Sequence, residues 1–180
     1  MAAVIDQQFN GGTPIMQIHY TAAVEDEIGQ AFTPSVSDTI PFIDLKLSRN
    51  GTPVGNLSIQ IMTDNAGVPS GTVIANGTSQ TVDAGALSTS ETVIRFTFST
   101  PPSVIASTKY HITTLATYAN STVNNVVWTG DNTTGTGVSW LVSTTWTNQP
   151  NNRLWFDQYR SNNPSVPGSV FITPNKFFGS

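Results

Sequence analysis

Apolar and polar residues alternate at every second position in five separate stretches of this chain, and this constrains its fold more than any other feature. Ile43, Leu45 and Leu47 alternate with Asp44 and Lys46, and Leu57, Ile59 and Ile61 with Ser58 and Gln60. Ile94, Phe96 and Phe98 alternate with Arg95 and Thr97, and Tyr110, Ile112 and Thr114 with His111 and Thr113. Near the end, Leu154 and Phe156 alternate with Trp155 and Asp157. Successive side chains of a strand point to opposite faces, so each stretch offers one apolar face to a core. Two antiparallel sheets packed face to face need that pattern. β-Branched residues dominate between 11 Pro and 14 Gly, and helical periodicity is nearly absent. The expected fold is all-β: an antiparallel two-sheet β-sandwich, jelly-roll-like, with extended N- and C-terminal arms.

The connections carry turn chemistry. Arg49-Asn50-Gly51-Thr52-Pro53-Val54-Gly55 separates the second strand from the first, and Asn-Gly favours a hairpin turn there. Asp64-Asn65-Ala66-Gly67-Val68-Pro69-Ser70-Gly71 closes the next strand. Pro101-Pro102 ends the Phe98 strand, because proline removes a ladder donor. Residues 120–137 read as a polar loop with one apolar island, Val126-Val127-Trp128. The expected organisation is an N-terminal arm over 1–27, a sandwich domain over 28–160 and a C-terminal arm over 161–180.

Charge excludes two classes of partner. Seven basic and 11 acidic residues give a net charge of −4, and Lys46, Arg49, Arg95, Lys109, Arg153, Arg160 and Lys176 are scattered. Nucleic-acid binding and anionic-membrane binding both need concentrated basic charge, so neither is expected. No apolar run approaches the ~20 residues of a membrane-spanning helix. Cysteine is absent, which removes disulfides and thiolate metal sites. The N-terminal residues lack a basic segment followed by an apolar stretch, and are read as no secretion signal.

Catalytic constellations are sparse. His19 and His111 are the two histidines, each placed on a strand and read as structural. Glu25, Asp26 and Glu27 read as a solvated acidic run in a loop, and Glu91 is the remaining glutamate. No Gly-x-Ser-x-Gly, His-Glu-x-x-His or phosphate-cradling motif occurs. Asp64 and Asn65 are weak candidates for a calcium ligand set, with a side-chain-stabilised turn as the simpler reading. No cofactor and no enzymatic activity are expected.

The aromatics are the best binding candidates. Trp128, Trp140, Trp146 and Trp155 crowd the C-terminal half, with Tyr118 nearby. Flat rings stack on sugar faces while Asn, Asp and Thr bond hydroxyls, so these five are candidate glycan-binding residues. Alternation turns Trp155 away from the core and makes it the first choice. Val170, Phe171, Ile172, Phe177 and Phe178 are candidate assembly-arm residues, able to bury apolar surface against a neighbouring subunit.

Several spaced motifs recur in a known order. They are Gly29-Gln30-Ala31-Phe32-Thr33, Ile43-Asp44-Leu45-Lys46-Leu47, Gly51-Thr52-Pro53-Val54-Gly55 with the strand Asn56–Ile61, and the Asp64–Gly71 block. A Tyr110-centred strand and Trp128 follow. In this order the chain resembles the choice-of-anchor-type β-sandwich domains of phage structural and bacterial surface proteins. The resemblance implies a sandwich appendage without catalytic residues. The resulting expectation is a virion structural protein, displayed on a phage-like particle as capsid decoration or head/tail appendage subunit. Its partners would be copies of itself, capsid or tail proteins. The alternative is a carbohydrate-binding or adhesion module using exposed aromatics.

Overall fold

The computed structural model describes residues 2–18, 27–142 and 145–161. In chain order the strands are β1 (Val4–Phe9), β2 (Thr13–Ile18), β3 (Glu27–Phe32), β4 (Asp38–Thr39), β5 (Phe42–Asn50), β6 (Asn56–Asn65) and β7 (Val68–Thr78). They continue with β8 (Val82–Asp83), β9 (Thr92–Thr97), β10 (Ser103–Val104), β11 (Tyr110–Ala116), β12 (Asn125–Val142), β13 (Thr145–Leu154) and β14 (Phe156–Arg160). One 3₁₀ turn, Ala84–Ala86, is capped by the Asp83 side chain on the Gly85 amide.

The strands form antiparallel sheets packed against each other, an all-β sandwich. In one layer β9 pairs with β5, whose other edge is shared. Ile43–Leu45 face β14, and Leu47–Asn50 face the start of β12. Outside these, β1 pairs with β14 and β2 with β12. The other layer runs β7, β6, β11, β3, then the far half of β12, then β13. The 18-residue β12 thus belongs to both layers: Asn125–Trp128 pair with β5, and Val138–Leu141 pair with β3. Register shifts between Asp131 and Val138 absorb the bend.

The alternating stretches place their apolar faces as the period requires. Ile43, Leu45, Phe96, Leu57, Ile59, Ile61, Ile112 and Leu154 are fully buried in one cluster with Ile28, Val126 and Trp128. Polar side chains tie the layers where the ladders change partners. Gln30, on β3, accepts a hydrogen bond from the Leu154 amide at 2.7 Å and donates to the Ala31 carbonyl at 2.9 Å. The Trp128 indole N–H donates to the Trp155 carbonyl at 2.7 Å, and the Trp155 amide to the Thr129 carbonyl at 2.8 Å. The Tyr118 hydroxyl donates to the Ile18 carbonyl at 3.1 Å.

Four sequence readings change. Residues 4–9 and 13–18, placed in an N-terminal arm, are strands of the first layer, because their backbone groups complete the edges that β14 and β12 leave open. Residues 125–137, read as a polar loop, belong to β12: partners on both edges supply the pairing that their composition does not advertise. The Asn50-Gly51 segment makes no hairpin. It carries the chain from β5 in one layer to β6 in the other, with Gly51 at φ +54° where a Cβ would lie 2.2 Å from Asn124 Oδ1. Glu27, expected in a loop, opens β3.

Two core glutamines should respond in opposite directions to substitution. Gln30→Ala strands the buried Leu154 amide and should lower unfolding free energy by about 1–3 kcal/mol in urea titration. Gln158, fully buried on β14, has no hydrogen-bond partner for either amide atom among the described residues. Gln158→Met should therefore raise stability, by about 1 kcal/mol. Equal destabilisation by both changes would refute this assignment of polar roles.

Candidate functional site

The crossover of β12 opens a cleft. Gln30 is the last β3 residue paired with β12, opposite Val138; beyond it Ala31 and Phe32 keep partners only on the β11 side. The space left free is about 410 Å³, lined by Gln7, Gln30, Phe32, Lys109, Asn148 and Arg153, with Ala31, Thr33 and Gly67 at its margins. Its residues come from β1, β3, the β6–β7 turn, the approach to β11, and β13. Two cations and three amides face it, and no carboxylate is among the lining residues. The Arg153 guanidinium lies over the Phe9 ring at 4.6 Å, which holds the long side chain at the rim. Gln7 donates to the Asp6 carbonyl at 2.9 Å. Among the described residues neither Lys109 nor Arg153 makes an ion pair.

The sequence candidates are dispersed by comparison. Trp128 is 0% exposed and Tyr118 is 3% exposed, so neither can stack on a sugar. Both are corrected from glycan candidates to core residues: tertiary pairing turns Trp128 inward, and burial pushes the Tyr118 hydroxyl pKa upward. Trp155 and Trp146 are partly exposed. The Trp146 ring lies over Gly29, where an added Cβ would meet Pro69 Cγ at 3.2 Å and Trp146 Cζ3 at 3.3 Å. Trp140 stands in β12 opposite Thr147 and Ile28. His19, Glu25, Asp26 and the arm residues Val170, Phe171, Ile172, Phe177 and Phe178 lie outside the described residues.

Asp64 serves the turn. Its Oδ2 accepts from the Gly67 amide at 3.2 Å and its Oδ1 lies 2.7 Å from His111 Nε2, while Asn65 is exposed. Ala66 and Gly67, at φ +52° and +96°, complete the reversal. Among the described residues no three His, Cys, Asp or Glu side chains gather as a metal site. His111 is fully buried, and among the described residues its Nδ1 has no partner. Protonating Nδ1 would bury an unsatisfied N–H, so the imidazole stays neutral with its proton on Nε2, donated to Asp64. Burial accordingly lowers the His111 pKa, with the Asp64 carboxylate opposing. At Asp64 desolvation pushes upward, but the His111 and Gly67 hydrogen bonds outweigh it, and the net shift is down.

The register brings together one carboxylate pair that spacing alone did not reveal. Arg95, Asp44 and Asp157 stand in a row across β9, β5 and β14 on the outer face. Arg95 clamps Asp44 with two 2.8 Å bonds and lies 3.7 Å from the Phe42 ring centroid. Asp157 is left beside a like charge, and its pKa is raised by desolvation and then by Asp44. The clamp on Asp44 spends that carboxylate on holding strands.

No protein-family model matches the chain, and neither a curated protein nor a solved structure matches it. The cleft residues Gln7, Lys109, Asn148 and Arg153 were missed because they lie far apart in sequence. Gln30, Ala31, Phe32 and Thr33 were visible as a motif without a role.

Acid should act on these groups with opposite signs. The depressed pKa values of His111 and Asp64 contribute stability above ~6.5 and ~3.9, lost as pH falls through their folded-state values. The raised value of Asp157 contributes stability at low pH that is lost as pH rises through it. Asp157→Asn should therefore raise Tm at pH 7 and leave it unchanged near pH 3, whereas Asp64→Asn should flatten the fall in Tm on acidification. Identical Tm–pH profiles for wild type and both variants would contradict this.

Proposed function

We propose that this chain is a non-enzymatic structural module of a virion, displayed on a phage-like particle as capsid decoration or as a head/tail appendage subunit. The observation that carries this reading is how its polar and charged side chains are used across strand and loop junctions. Arg95 clamps Asp44, His111 is held by Asp64, and Arg160 lies 4.0 Å from Asp6 and 3.8 Å from Asp38. Each contact fastens one strand or loop to another, and that suits a rigid body better than a reacting centre. The resemblance to choice-of-anchor-type domains points the same way. In this reading the described chain closes at Ser161, whose amide donates to the Thr39 carbonyl at 2.9 Å. Val170, Phe171, Ile172, Phe177 and Phe178, further along the sequence, supply the contacts to sister subunits or to capsid or tail proteins.

A second reading, a carbohydrate-binding or adhesion module, is favoured by the polar cleft and by the partly exposed rings of Trp155 and Trp146. The two readings separate experimentally. Removing residues 162–180 should abolish self-association or particle incorporation while leaving Tm within a few degrees of the full chain. Normal incorporation of that truncation would refute the assembly role. On a glycan array, consistent hits abolished by Trp155→Ala would promote the second reading over the first.

A further inference from the structure

We infer that the crossover cleft is a binding site for an acidic sugar, a carboxylate-bearing pyranose unit such as a hexuronate. This rests on the glycan-binding reading but places the ligand away from Trp155. The volume, about 410 Å³, falls within the ~300–1,000 Å³ typical of small-ligand clefts. Lys109 and Arg153 are its two cations, and neither makes an ion pair among the described residues. A guanidinium fork matches a carboxylate in two parallel hydrogen bonds. Arg153 is already oriented by Phe9, which reduces the entropy lost on capture.

The amides argue for a sugar over a bare anion. Gln7 donates one of its two side-chain N–H groups to the Asp6 carbonyl, which leaves its oxygen to accept from a hydroxyl. Asn148 and Thr33, also lining the cleft, offer further donor and acceptor groups. Gln30 has both ends engaged and forms a fixed floor. Two carboxylates stand close behind: Asp64 near Lys109, and Asp131 across the ladder from Arg153. Neither lines the cleft, and Asp64 is tied to His111 and Gly67.

An amide NMR titration of the full chain with glucuronate, glucose and acetate tests this. Glucuronate should shift the amides of Gln7, Thr33, Lys109, Asn148 and Arg153 and saturate at millimolar concentration. Glucose and acetate should each bind roughly tenfold more weakly. Lys109→Gln and Arg153→Gln should each weaken glucuronate several-fold with Tm unchanged, and Trp155→Ala should leave it unaffected. Acetate binding as well as glucuronate would make the cleft a plain anion site and overturn the inference, as would glucose binding equally. Shifts confined to Trp146 and Trp155 would overturn it while sparing the glycan-binding reading. No shift with any probe would overturn the inference, and glycan-array hits abolished by Trp155→Ala would still sustain that reading.

Discussion

The structure depends on one strand serving two sheets. β12 loses its β5 partner after Trp128, keeps β2 through Gly130, where β13 joins it, and gains β3 at Val138, so both layers share a backbone. A strand that changes sheets must lose ladder partners at the bend, and unpaired buried amides are costly. Here the side chains of Gln30 and Trp128 supply the missing contacts, one accepting from Leu154 and the other donating to Trp155. The core closes around these struts. The cleft is the space that the bend leaves uncovered. Fold and candidate site therefore have a common origin.

The polar side-chain contacts follow the same logic. A chain with 10% charged residues has few charges near its core, and most of those are partnered; Asp157, beside Asp44, is the exception, its Oδ1 without a hydrogen-bond partner among the described residues. Arg95–Asp44 spans β9 and β5, Arg160 draws β14 toward Asp6 and Asp38, and His111–Asp64 pins the β6–β7 turn against β11. Lys109 and Arg153 stand outside this scheme. Both line the same cleft, and neither makes an ion pair among the described residues.

Much of the sandwich was legible in the sequence. Ile43, Leu45, Leu47, Leu57, Ile59 and Ile61 announce their faces by period alone, and all are buried. What period cannot carry is partner choice. Residues 125–137 looked like a loop because Asn and Gly are poor strand formers and break up its Thr and Val residues, and only pairing with β5, β2 and β13 makes them a strand. At the N-terminus a strand was read around His19 but assigned to an arm, and β1 was not read as a strand at all. Trp128 was misjudged because it sat on an island inside that apparent loop. Trp155 is partly exposed and lies at the break between Leu154, the end of β13, and Phe156, the start of β14. The cleft was invisible, since β1, β3, β11 and β13 meet there only after β12 has bent.

Native-state hydrogen exchange tests the shared strand most directly. If β12 welds the layers into one body, the amides of Trp128 and Val138 should open with the same free energy. Gln30→Ala should then lower both equally. Protection at Val138 falling while Trp128 keeps its own in full would show two layers that open separately, and would contradict the account.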